Sequence, residues 1–274
     1  MFSPYYAWRG RLNPEDHCTI NVALYGTRNR WTMTERGAQT CHRSAAAFVV
    51  GPSRAAWDGR RFTVEIAETA VPHLTPVRGV VTVTPEPLTA YEAQLDPAGH
   101  HRWRPYGPLS SVSVELDRPR LSWTGHGYLD ANFGARPLEA DFVHWNWSRA
   151  RIGGARGETA RIFYEADRRD GSRLALHLGA DTHGQVRDLG PPPPEAALPG
   201  TLWRVRRSTR SEGHVRVLRR LEDAPFYARA MLEAELDGAR AEVVHETLDL
   251  DRFDRRWVKA LLPWRMPRAT WWGG

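Results

Sequence analysis

Short apolar–polar alternations, separated from one another by Gly and Pro, constrain this chain more than any other feature. In Arg61 to Glu68, RFTVEIAE, the residues Phe62, Val64 and Ile66 fall on one side. In Ser111 to Leu116, SVSVEL, the residues Val112, Val114 and Leu116 do the same. A period of two is the signature of a strand. A strand with one apolar face is half-buried and belongs to an antiparallel sheet.

Further segments read the same way. Cys18 to Tyr25, CTINVALY, and Arg30 to Arg36, RWTMTER, are predicted to pair as a hairpin across the turn GTRN. Ala45 to Val50 and Arg78 to Thr84 are predicted strands, with GPSRAAWDGR and Tyr91 to Ala98 as loops. Glu139 to Trp147, EADFVHWNW, reads as one aromatic strand. Its alternation puts Val143, Trp145 and Trp147 on one face, and Phe142, His144 and Asn146 on the other. Those tryptophans either line a ligand wall or pack in a core. Strands Ala160 to Ala166 and Arg173 to Leu178 follow. The stiff loop GPPPPE comes next, and strands resume with TLWRVRRS. Val215 to Leu221, Tyr227 to Leu236 and Ala241 to Leu248 complete a meander. Many short strands, with no α/β rhythm and no nucleotide-binding loop, predict an all-β chain of sandwich or barrel type.

The tail departs from this pattern. Leu250, Phe253, Trp257 and Leu261 recur at helical spacing, with Asp249 or Asp251 as the cap and Pro263 as the stop. An amphipathic, Arg-containing helix followed by Trp264, Trp271 and Trp272 either plugs a barrel end or rests on a membrane surface.

Composition narrows the classes. The formal net charge is +6, and Lys259 is the only lysine, so the basic character is arginine throughout. A modestly basic surface suits an anionic membrane, and no nucleic-acid-binding signature accompanies it, so nucleic acid is not an expected partner. Cys18 and Cys41 form no disulfide framework, and with His17 and His42 they lack the Cys-x-x-Cys spacing usual for zinc, so no metal is expected. There is no run of eighteen apolar residues and no signal-peptide pattern, which predicts a cytoplasmic or peripheral membrane protein. Twelve tryptophans suit a large flat apolar ligand or a sandwich core equally.

One stretch carries candidate chemistry. From His101 to Gly134, His101 and Trp103 sit two apart, and so do Tyr128, Asp130 and Asn132. As strands, each set would share a face. A carboxyl between aromatic walls resists ionisation, which makes Asp130 a candidate proton donor. The plain alternative is that Asp130 and Asn132 make turn hydrogen bonds.

Several long blocks then fall in order: FSPYYAWRGRLNPEDHCTINVALYG and TRNRWTMTERG near the start, GHGYLDANFG from Gly125, and HWNW from His144 to Trp147. On these blocks the chain resembles the bacterial acyclic carotenoid 1,2-hydratases, or hydroxyneurosporene synthases. The resemblance implies addition of water across the terminal C1–C2 double bond of an acyclic carotene (neurosporene or lycopene type), giving a tertiary alcohol without a cofactor. The family's His-x-Trp falls on His101 and Trp103, and its Tyr-x-Asp on Tyr128 and Asp130. The implied fold is two lipocalin-like or β-sandwich modules with a short C-terminal helix. The junction is placed near Arg118, giving modules 1–118 and 119–274 with the site between them. Family members carry residues upstream of the FSPYYAW block, so either the true start lies upstream of Met1 or a strand is missing, and a missing strand would expose a sheet edge or open one wall of a barrel.

The chemistry expected of that reading assigns Asp130 as the acid, with Trp103 and Tyr128 as π faces for a cation. His101 either orients water, accepts its proton or hydrogen-bonds Asp130. Trp145, Trp147 and Asn132 are the expected substrate contacts. The partners are the carotene and water, on the inner photosynthetic membrane. Two rivals stay open: a β-barrel that carries a polyene without reacting, and a glycosidase-like sandwich using Asp130 with Glu139.

Overall fold

Alternation becomes strand at most of the predicted positions. In the computed structural model, described for residues 2–27, 29–154 and 157–269, the chain is mostly antiparallel sheet. It divides into two units, each discontinuous in sequence. The first comprises the described residues of Met1–Pro85, Ser110–Gly127 and Lys259–Gly274, and the second Glu86–Leu109 and Tyr128–Val258.

Helix α1 (Pro4–Trp8) opens the chain, capped by Ser3, whose Oγ accepts from the Tyr6 N–H at 2.9 Å. Strands β1 (Val22–Leu24) and β2 (Arg30–Thr32) form the predicted hairpin, with Ala23 opposite Trp31. The strands are shorter than the sequence segments because flanking residues are used in isolated bridges, such as Cys18 to Arg36. Next come β3 (Cys41–Arg43), β4 (Ala47–Val50), β5 (Ser53–Trp57), β6 (Phe62–Ala70), β7 (Thr75–Pro85), β8 (Ala93–Gln94), β9 (His101–Arg118) and β10 (Leu121–Gly134). Their sheet runs β10-β9-β7-β6-β5-β4-β3, with β8 also on β9.

One correction falls here. GPSRAAWDGR, expected as loop, contains β5. Gly51 takes φ +57° in a two-residue turn, so Val50 pairs with Ser53 and the chain returns antiparallel along β4. The core of this unit joins Ile66, Ala70, Val77, Val114 and Leu116, of which Ile66, Val114 and Leu116 lie on apolar faces read from the sequence. Glu68 shares the inward face of β6. It is fully buried because Arg36, at 2.8 Å, and Ser53, at 2.6 Å, satisfy its carboxylate.

The second unit contains the short helix α2 (Leu138–Asp141), then β11 (Phe142–Gly154), β12 (Gly157–Arg168), β13 (Arg173–Asp181), β14 (Val186–Asp188), β15 (Glu195–Ala197), β16 (Ser208–Arg210), β17 (Val215–Asp223), β18 (Tyr227–Leu236) and β19 (Ala239–Asp249). Seven of these strands form a sheet in the order β14-β13-β12-β11-β19-β18-β17, and β15 pairs with β16 separately. Both large sheets are open paths, as in sandwich modules; neither closes as a lipocalin barrel does. One face of the seven-stranded sheet is an apolar core of Phe163, Ala230, Leu232, Ala234, Leu236 and Val243, packed with Leu198. The other face carries Ala160 and Ala180, which pack on Leu109 of β9.

Three further expectations need correction. Glu139 to Asp141 are helical, because Pro137 starts a turn that α2 completes before β11 begins. A register shift between Phe142 and His144 interrupts the alternation, so Phe142 does not follow the face of His144 and Asn146. TLWRVRRS is not a strand up to Ser208. Its backbone turns at Thr201, where the Arg204 N–H reaches the Thr201 carbonyl at 3.1 Å.

The tail helix forms in two pieces, α3 (Leu250–Phe253) and α4 (Arg256–Leu261). Asp249 caps the first, accepting from the Arg252 N–H at 2.9 Å. Trp264 is exposed, and Trp271 and Trp272 lie outside the described residues. Among the described residues, no helix is long and apolar enough to cross a membrane.

Candidate active site

Two strands supply polar groups and two more supply an aromatic wall. β9 and β10 are neighbours in their sheet. Trp103, fully buried on β9, donates its indole N–H to Asp130 Oδ2 at 2.7 Å. Tyr128, two residues before Asp130 on β10, donates its hydroxyl to the same oxygen at 3.2 Å. Asn132, two residues after it, accepts the Tyr164 hydroxyl on Oδ1 at 2.8 Å. The two-residue spacing therefore gathers Trp103, Tyr128 and Asp130 into one hydrogen-bonded group.

Directly paired positions on neighbouring strands share a face. Tyr164, Trp147, Glu246 and Arg229 form one such row across β12, β11, β19 and β18. The Tyr164 ring lies 4.9 Å from Trp103, and it stacks on Trp145 at 5.4 Å and 27°. Trp147 lies 5.1 Å from the Tyr128 ring. Arg149, next on that face of β11, is buried. It donates to the Pro108 carbonyl at 2.6 Å, and its guanidinium sits 5.4 Å from the centre of the Tyr128 ring.

The electrostatics follow from this packing. Burial raises the proton affinity of Asp130, and the negative charge of Glu246 adds to that effect. The hydrogen bonds from Trp103 and Tyr128, and the charge of Arg229, pull the other way without cancelling it. Glu246 is itself ion-paired with Arg229. Burial, with Asp130 alongside, holds the Tyr128 hydroxyl well above the ordinary phenol range, and the same causes act on Tyr164. Burial lowers Arg149 to about 10, which leaves it charged at neutral pH. The arrangement sets a carboxyl of raised proton affinity in a cluster of five aromatic rings, with a buried cation beside one of them.

Of the roles open to His101, a hydrogen bond to Asp130 is not made. It shares the β9 face with Trp103, but its Nε2 pairs with Asp141 Oδ2 at 2.8 Å instead of Asp130. Its ring stands edge-on to Phe142 at 4.9 Å. Gly134 leaves the space for it: a Cβ there would lie 2.6 Å from His101 Nδ1. Glu139, the alternative second carboxylate, sits on α2, and the carboxylate that acts on Asp130 is Glu246.

Asp141, Tyr164, Arg149 and Glu246 were not singled out in the sequence. For Tyr164 the only available signal was its place on the alternating face of β12. Among the described residues, no group of three or more His, Cys, Asp or Glu is placed to hold a metal ion, and Cys18 and Cys41 are free thiols.

Comparison with known proteins gives a consistent result. The family described as Carotenoid hydratase CrtC matches residues 1–273. The acyclic carotenoid 1,2-hydratase of Thiocapsa roseopersicina is 46% identical over 98% of this chain and 67% of its own length. That of Rhodobacter capsulatus is 40% identical over 99% of this chain and 96% of its own, and that of Cereibacter sphaeroides 42% over the same shares. No solved structure matches. With the family match running nearly end to end and relatives at this level of identity, the chain belongs to the carotenoid hydratase family.

Proposed function

We propose that this protein is an acyclic carotenoid 1,2-hydratase in which Asp130 is the acid. The observation that carries the residue assignment is the Asp130 carboxyl, anchored by Trp103 and Tyr128 among aromatic rings with its proton affinity raised by burial. An isolated trisubstituted alkene needs a strong, positioned acid. The carboxyl proton goes to C2, the π electron pair forms the new C–H bond, and C1 becomes a tertiary cation. The faces of Trp103 and Tyr128 stabilise that cation without adding to it. A water oxygen then bonds to C1 and its surplus proton returns to the Asp130 carboxylate, which restores the acid. Trp145 and Trp147 contribute the apolar wall for the chain of the substrate. His101, committed to Asp141, positions β9 and takes no proton in this scheme. The enzyme is proposed to work as a peripheral protein on the cytoplasmic side of the carotene-bearing membrane.

The test is to incubate the protein with neurosporene or lycopene in detergent. The expected product has gained one water, elutes earlier on a reversed phase and keeps its visible spectrum, because the hydrated bond lies outside the chromophore. Binding without a mass change would make the protein a carrier. A marked blue shift would mean that the conjugated system had reacted, against the proposal. Asp130→Asn should bind carotene while losing about a hundred- to ten-thousand-fold in turnover.

A further inference from the structure

Residues 199–207, which include most of the TLWRVRRS segment expected as a strand, are instead a loop braced from several sides. The Leu202 N–H donates to Asp223 Oδ2 at 2.7 Å, and the Val205 N–H to Thr201 Oγ1 at 3.1 Å. Arg252 of α3 donates to the carbonyls of Trp203 and Arg204, and Arg207 donates to that of Pro199 at 2.9 Å. Arg204 turns the tip with φ +55°. All this bracing holds apolar side chains out in solvent. Leu202 is 82% exposed and Trp203 40%, and Trp257 at the start of α4 is 48% exposed with its ring 6.2 Å from that of Trp203. An isolated exposed leucine needs no explanation. Three large apolar side chains on a fixed loop and its neighbour form a patch.

The charge around the patch selects its partner. Arg204, Arg206, Arg255 and Arg256 are exposed beside it. Most nearby carboxylates are engaged: Asp167 with Arg206 and Arg173, Asp249 with Arg252, Asp251 with Arg169, and Asp223 with the Leu202 N–H, while Asp254 beside Arg255 is not free either. Arg204 adjoins Trp203 in sequence, and Arg255 and Arg256 adjoin Trp257, so each indole has exposed positive charge next to it. Indole rings flanked by exposed guanidinium groups match the interfacial zone of an anionic bilayer, apolar just below and negative at the surface. We propose that the 199–207 loop and the start of α4 form a lipid-docking surface, with Leu202, Trp203 and Trp257 entering the headgroup zone. The choice of a bilayer over a protein partner rests on the hydrocarbon substrate assigned above. Because the loop is already ordered, insertion adds little ordering entropy.

The experiment is flotation of the full chain with phosphatidylcholine vesicles, with or without phosphatidylglycerol. Wild type should float with both, more strongly with the anionic lipid, and added salt should remove that excess. Leu202→Glu with Trp257→Ala should weaken partitioning about tenfold to a hundredfold, and Arg255→Glu with Arg256→Glu should abolish the preference for anionic lipid. Turnover is measured in parallel with carotene in detergent and in vesicles. The Leu202/Trp257 variant should match wild type in detergent and fall in vesicles. Equal flotation of wild type and that variant overturns the docking surface, even with full activity in detergent. So does a wild-type dimer that Leu202→Glu dissociates without changing flotation, since the patch would then be a subunit contact. Absence of hydration in detergent by wild type defeats the enzymatic reading alone, whatever the flotation shows.

Discussion

Tyr128→Phe isolates the tuning of Asp130 more cleanly than any other change at the site. The substitution removes one hydroxyl and leaves the ring in place, 5.1 Å from Trp147 and 5.4 Å from the Arg149 guanidinium. What is lost is the 3.2 Å hydrogen bond to Asp130 Oδ2. That bond favours the ionised carboxylate and so lowers a proton affinity that burial has raised. A hydrogen bond to a charged group contributes about 1.5–3 kcal/mol, and one of this length should sit at or below the lower end. Since 1.36 kcal/mol is one pKa unit, the Asp130 pKa should rise by up to about one unit. If the protonated carboxyl is the reactive form, turnover falls as pH rises through that pKa. The alkaline limb of kcat should therefore move to higher pH in Tyr128→Phe, by up to about one unit. Trp103→Phe removes the shorter, 2.7 Å bond and should move the limb at least as far, with an added loss of stability from the cavity left at a fully buried indole. The assay is the pH dependence of kcat for the three proteins with one carotene in one detergent. A limb that stays put, or moves to lower pH, would refute Asp130 as the titrating acid whatever the absolute rates.

Other expectations follow from the same contacts. Glu246→Gln removes a negative charge that raises the Asp130 pKa, so the alkaline limb should move to lower pH, opposite to Tyr128→Phe; a shift in the same direction would place Glu246 outside the electrostatics of the site. Asp130→Asn should be the more stable protein at high pH. With the folded pKa raised, the stability that protonation confers is fully present below the unfolded value of about 3.9 and is lost as pH rises through the folded pKa. Melting temperatures of the Asp and Asn proteins should thus be close near pH 4 and diverge in favour of Asn above the folded pKa; the reverse trend would show that the carboxylate is stabilised by its surroundings. Gly134→Ala would set a methyl 2.6 Å from His101 Nδ1 and 2.7 Å from the His100 carbonyl, and should destabilise by about 1–3 kcal/mol, visible as a lowered melting temperature. An unchanged melting temperature would mean that the His101–Asp141 pair is free to shift.

The strands were legible because each presents one apolar face, and faces are written locally. Ile66 with Ala70, and Val114 with Leu116, meet in the core as their spacing required. β5 was missed because SRAAW has no alternating bulky residues; the turn at Gly51 and the partner strands on both sides make it a strand. The 199–207 loop was misread for the converse reason: Leu202, Trp203 and Val205 look like a strand, but the surrounding backbone groups are used in a turn and in bonds to arginines. In the candidate site, the grouping of residues two apart on β9 and on β10 was legible, since a strand puts them on one face by itself. Tyr164, Glu246 and Asp141 were not, because they arrive through strand order. β19 lies beside β11 in the sheet although far from it in sequence, and nothing local to HETLD around Glu246 states that it will face Asp130.

Both donors to Asp130 end on the same oxygen, Oδ2. An oxygen that accepts two hydrogen bonds is poorly placed to carry a proton of its own, so a proton held by this carboxyl would sit on Oδ1. Turning the carboxyl over would break both bonds at once. In the proposed role the acid would therefore be handed, offering its proton in one direction only. An alkene seated against it would be struck on a single face, and C2 of the product would become stereochemically defined in heavy water, with deuterium at one of its two prochiral positions.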